Sequence, residues 1–210
     1  MKVAVFSESS ADEAAIRIIV DAVLGNPTEP VGLLGLRTRG YSGVVGTLPA
    51  VLKQLYYHTD AEGLVVVIDS DDSPVHTDAH DAPGGADPAC RLCELQRIAA
   101  LEMLRVRPVP GRAVLKTAIG LAVPAIEAWL HPAIGTRVSE PSWARALQSG
   151  QRPYDRRSLK RDLYGSDRVP ITRETRVMSE AAQRLAQDLT ILERWFPHGF
   201  GALARAVRAW

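Results

Sequence analysis

The sequence predicts an α/β fold, a parallel sheet flanked by helices with a helical extension at the C-terminal end. Short β-branched apolar runs, Lys2 to Phe6 and Leu64 to Ile68, read as strands, the second buried on both faces. The chain between them carries apolar residues at helical spacing, as in Ala15, Ile16, Ile19, Val20 and Val23. Strands that alternate with helices imply parallel neighbours joined by right-handed crossovers.

Taken in order, Lys2 to Phe6 is the first strand, and Ser10 with Glu13 three residues on reads as a capping box opening the first helix. That helix runs out near Gly25-Asn26-Pro27. Val31 to Leu36 is the expected second strand and Leu48 to Tyr57 the second helix. Leu64 to Ile68 is the third strand, Cys90 to Leu104 the third helix with Asp87-Pro88 as its cap, and Val114 to Val123 the fourth strand. Beyond Pro124 the pattern turns helical. Ala125 to Leu130 is a short helix, Glu174 to Phe196 a long amphipathic one, and Phe200 to Trp210 the last. The expected organisation is an α/β core over residues 1–123, containing a metal loop at 70–93, with a helical part at 124–210 packed on it.

Composition narrows the function classes. With 46% hydrophobic and 23% charged residues the 210-residue chain can bury a sizeable core, which excludes global disorder. A net charge of +1 gives no whole-molecule field for nucleic acid, so polyanion binding must use a local patch such as Arg145 to Arg176. Two cysteines three positions apart do not make a secreted disulfide framework. No apolar run approaches the ~18 residues of a membrane span. The expectation is a soluble, cytoplasmic protein with no membrane partner.

The stretch from Glu62 to Cys93 gathers the most chemistry. The third strand ends in Asp69-Ser70-Asp71-Asp72, at the end of a parallel strand where sites form. Glu8 leaves the first strand at the same edge, and Glu127 follows the fourth. Converging carboxylates suit Mg²⁺ or Mn²⁺, hard cations that take oxygen ligands. The alternative is that these acids open solvated loops and that Glu127 is a helix-start glutamate favoured by the dipole.

Glu8 after strand one with Asp69-x-Asp71 after strand three resembles a TOPRIM domain, the metal-binding module of topoisomerases, primases and overcoming-lysogenisation-defect nucleases. Ser7 to Glu13 is similar to that family's Glu-Gly-x-[Ser/Thr]-[Asp/Glu] turn, with Ser9 standing where Gly is usual. Val123 to Leu130 (VPAIEAWL), Lys160, Tyr164 and Phe200-x-x-Leu203 resemble an uncharacterised TOPRIM-like family expected to hold Mg²⁺-dependent nucleases. The resemblance implies that Asp69 and Asp71 hold the ion. It implies Glu8 as ligand or general acid/base, and it singles out Lys160 as a phosphate contact.

A second constellation is His76-x3-His80-x9-Cys90-x2-Cys93. Zinc favours tetrahedral sites of nitrogen and sulfur, and these residues supply four such ligands. The long polar loop from Ser70 to Ala89 needs an organiser, which a structural metal would be. The alternative leaves the histidines solvated and the cysteines as small buried residues. Together with the carboxylate edge, the TOPRIM-like resemblance implies a Mg²⁺-dependent phosphodiester-cleaving nuclease acting on DNA or RNA. The alternative is a non-catalytic, metal- or nucleotide-binding subunit that works with a protein partner.

Overall fold

The computed structural model describes residues 1–33, 35–36, 39–134, 138–152 and 154–210. They form an α/β structure with a parallel four-stranded sheet flanked by helices. In chain order the core elements are β1 (Lys2–Phe6), α1 (Ser10–Leu24), β2 (Glu29–Pro30), α2 (Gly40–His58), β3 (Gly63–Asp69), α3 (Asp78–Asp81), α4 (Arg91–Arg105) and β4 (Lys116–Ala122). There follow α5 (Ile126–Leu130), a 3₁₀ turn (His131–Ile134), α6 (Glu140–Gln148), α7 (Arg156–Tyr164), α8 (Ile171–Leu185), α9 (Thr190–Trp195) and α10 (Phe200–Arg208). The strands lie in the order β2-β1-β3-β4, so β3 is central and buried along its whole length.

Alternation along the strands divides the core into two layers, because successive side chains point to opposite faces. Val3, Val5, Val65 and Val67 pack with α1, α8 and α10 on one face. Ala4, Phe6, Leu64, Val66 and Ile68 pack with α2 and α4 on the other. Trp129 anchors the first layer, fully buried and edge-to-face with Phe200 at 5.5 Å.

Several elements differ from their expected bounds. The second strand is only Glu29–Pro30, exposed at the sheet edge, plus one further bond from the Val31 amide to the Val3 carbonyl. Leu34, within the expected strand, lies outside the described residues. Ahead of this segment Pro30 has no N–H to donate, and glycines at 32 and 35 weaken strand pairing. The second helix begins at Gly40, well before Leu48, its early turns hidden in the sequence by Gly43, Gly46 and Pro49. Ser9, not Ser10, caps α1 by accepting from the Asp12 amide at 3.2 Å. Asp87 does not cap the third helix: its side chain takes the Ala89 amide at 2.8 Å, and the helix starts after Cys90. The expected long C-terminal helix is broken, because the Asp188 side chain accepts from the Thr190 amide at 2.9 Å and starts α9.

The turn between α9 and α10 hangs on Glu140, which is 1% exposed and accepts from the His198 and Gly199 amides at 2.9 and 2.7 Å. Burial pushes its carboxyl up to about 7 despite those two donors. The folded chain thus keeps a proton that the unfolded chain, near 4.5, has already released. Stability from this group is full below pH 4.5 and is lost as pH rises through about 7, by about 3 kcal/mol. Glu140→Gln, an isostere of the protonated form, is expected to flatten this part of the pH dependence, read from urea unfolding at pH 5 and pH 8.

Candidate functional site: an acidic cleft beside a His/Cys cluster

The C-terminal ends of β1, β3 and β4 face one cleft of ≈ 700 Å³, lined by Glu8, Asp12, Glu127, Arg156, Lys160 and Glu174 among others. Asp69 ends β3 behind it, 3% exposed. Its Oδ1 accepts from the Ile126 amide at 2.9 Å, and its Oδ2 pairs with Arg156. Its own amide donates to Glu8 Oε1 at 3.0 Å, so the ends of β1 and β3 are joined through the predicted Glu8–Asp69 pair. Burial pushes the Asp69 carboxyl well up, Arg156 pulls it back, and Glu127, Asp12 and Glu8 push it up again.

Glu127, on α5, is 2% exposed. Its Oε1 takes the Tyr164 hydroxyl and the Lys160 ammonium, both at 3.4 Å, while its buried Oε2 has no hydrogen-bond partner among the described residues. Lys160 also reaches Glu174 at 3.4 Å. Burial lowers the Lys160 ammonium, but Glu127 and Glu174 outweigh it and hold the charge. Tyr164, buried against the same acids, is pushed up and keeps its proton.

Asp71 sits apart from this cleft. Its φ of 46° is left-handed, a conformation that Asp tolerates better than most residues. That twist turns its carboxylate to Arg91 Nη1 at 2.8 Å and Arg156 Nη1 at 3.3 Å, on the wall of a neighbouring cleft of ≈ 610 Å³. Asp69 and Asp71, expected to lean on one ion, here share one guanidinium.

Two participants escape the sequence reading. Asp12, one turn after Glu8, is buried, and burial, then Glu127, Glu174 and Glu8, push its carboxyl up to about 7, against the Ser9 bond. Its place in the first turn of α1, three residues after the cap Ser9 that follows Glu8, was the available signal. Arg156 lies in a basic run whose members look like a solvated helix face, and only the fold brings it to Asp69.

His76, His80, Cys90 and Cys93 come together. Each offers a ligand atom within 4.8 Å of the others, a set able to hold a metal such as zinc. The His76 Nδ1 lies 3.6 Å from both sulfurs, and the His80 Nδ1 3.7 Å from Cys93 Sγ. Tetrahedral zinc with ordinary bond lengths sets S···N at about 3.6 Å. The outer His76 nitrogen meets Asp81 Oδ1 at 3.1 Å, as an outer-shell carboxylate orients a ligating imidazole. Among the described residues, no acidic group is gathered as tightly.

Arg91 ties the two constellations together. It lies within the Cys-x-x-Cys, and its Nη1 donates to the Asp69 carbonyl at 2.7 Å and to Asp71. Its guanidinium also covers the Tyr41 ring at 4.3 Å. Comparison with known families, with curated proteins and with solved structures finds no match. No helix of the described residues is long and apolar enough to cross a membrane.

The coupling between Asp12 and Glu127 has a direct readout. Glu127→Gln removes one of the charges that raise Asp12, so its carboxyl titrates below about 7 while burial keeps it above 3.8. Carboxyl-carbon NMR titration of Asp12 in the two proteins checks the direction.

Proposed function

We propose that the protein is a Mg²⁺- or Mn²⁺-dependent phosphodiesterase acting on nucleic acid, with a structural zinc ion in the His/Cys cluster. The observation that carries the reading is the surplus of carboxylate in and behind the cleft, with Asp12, Asp69 and Glu127 buried. Glu8, Asp12, Glu127 and Glu174 line it with Asp69 behind, against Arg39, Arg156 and Lys160, and Glu127 keeps a buried oxygen with no hydrogen-bond partner among the described residues. All the donors are hard oxygens, the set such ions prefer. The TOPRIM-like motifs at Glu8, Asp69-x-Asp71 and Val123 to Leu130 point the same way.

A bound divalent ion would polarise the phosphoryl group and lower the pKa of a coordinated water. The chain's own residues supply the rest. Glu8 and Asp69 would hold the ion, with Asp71 turning in from the neighbouring cleft wall, and Glu127 would complete the set. Asp12, near neutrality, is suited to take the proton from the attacking water as its oxygen joins phosphorus. The phosphorus–oxygen bond to the departing sugar breaks and that oxygen takes a proton from solvent water, giving a phosphate monoester and an alcohol. Lys160, half-buried at the cleft wall, can offer its charge to a phosphate oxygen.

A second reading has its own observation: Arg156 already neutralises Asp69 and Asp71, as a site that binds without turnover would arrange. The two separate on one assay. With Mn²⁺ or Mg²⁺ the purified protein is expected to cut single- or double-stranded nucleic acid, and Asp69→Ala to lower the rate on the order of 100-fold or more. Metal-dependent binding with no cutting would favour the second reading.

Zinc is tested separately, by elemental analysis. One ion per chain is expected, lost in Cys90→Ser together with thermal stability. Burial pushes the metal-free Cys90 thiol up to about 11, so loading is expected to release protons.

A further inference from the structure

We infer that Arg156 is a resident countercharge, displaced from Asp69 and Asp71 when a divalent cation binds and then free to hold a phosphate oxygen of the substrate. This rests on the metal-dependent phosphodiesterase reading above.

The geometry carries it. One guanidinium spans both carboxylates, Nη2 on Asp69 Oδ2 and Nη1 on Asp71 Oδ1 at 3.3 Å. An ion held by the same two side chains needs those oxygens, so the guanidinium and the ion exclude each other. The partners differ in freedom. Asp69 is held by the Ile126 amide and is 4% exposed at its side chain, while the Arg156 side chain is 43% exposed. The arginine is therefore the partner that moves.

Its base is fixed, and its reach is long. Arg156 is the first residue of α7, whose N-cap Asp155 makes a reciprocal capping box with Ser158, so the backbone need not shift when the side chain swings. It lines both clefts, the acidic one and the neighbouring one that holds Arg91, Arg152, Tyr41 and Trp143. A released guanidinium can turn into either. Arginine's planar fork suits a phosphate as well as it suits a carboxylate pair.

Charge favours the exchange. A divalent ion brings twice the charge of the guanidinium, and Glu8, Asp12, Glu127 and Glu174 remain to attract it. Without the ion, the Arg156 guanidinium occupies Asp69 Oδ2 and Asp71 Oδ1, the oxygens an ion would take. Lys160, one turn along α7, treats Glu127 and Glu174 alike, so one helix face supplies countercharge to the cleft.

The test reads cation binding without substrate as well as turnover. Mn²⁺ binding to the full chain is measured by calorimetry and electron paramagnetic resonance for wild type, Arg156→Gln and Arg156→Lys. Circular dichroism melts confirm that each variant is folded. Arg156→Gln is expected to bind Mn²⁺ about five-fold or more tightly, because the competitor is gone. Once Mn²⁺-loaded, it is expected to show a raised KM for nucleic acid. Arg156→Lys, with a charge but no fork, falls between on both measures. Unchanged or weaker Mn²⁺ affinity in folded Arg156→Gln, with wild type binding normally, overturns this inference alone. No Mn²⁺ bound by wild type overturns it together with the phosphodiesterase reading.

Discussion

The site depends on the burial of one carboxylate. Asp69 ends the central strand almost out of solvent, and three separate parts of the chain are arranged to accept that. The Ile126 amide at the start of α5 fixes one oxygen, Arg156 of α7 neutralises the other, and Glu8 takes the backbone amide. Burying a lone carboxylate costs several kcal/mol, so each of these partners has a thermodynamic reason to be where it is. The helical C-terminal part is thus held to the sheet by charge as well as by the apolar packing of α8 and α10.

What the sequence disclosed follows from the range of the forces involved. β1 and β3 are legible because their apolar runs depend on burial alone, and the His/Cys set is legible because its four ligands fall within eighteen residues. Asp12 is not, since its importance comes from Glu127 and Glu174, far along the chain, which raise it together with burial. Arg156 is hidden for the same reason: it sits in a basic run, and its partners in space are Asp69 at the end of β3 and Asp71 just beyond it. The short β2 and the break before α9 run against apolar periodicity because Pro30 lacks a backbone donor and the Asp188 side chain takes the Thr190 amide.

Arg91 gives the two clusters a shared fate. A residue enclosed between two cysteines of the metal set donates to the backbone and side chain of the acidic loop. Whatever orders Cys90 and Cys93 also orders Arg91, and through it the exit of β3. The polar loop from Ser70 to Ala89 is tied at its start to Pro124 by the Asp71 amide and midway to α4 by the histidines.

The left-handed backbone of Asp71 carries a consequence for how substitutions there behave. The residue satisfies two demands at once, an unusual main-chain angle and a negative charge, and replacements separate them differently. Asparagine accepts the angle and removes only the charge. Alanine removes the charge and also strains the turn, which would loosen the Pro124 tether. Glycine relaxes the angle and lets the chain wander. The three together distinguish a loop that must be shaped from a loop that must be charged, a distinction that no single substitution at this position can draw.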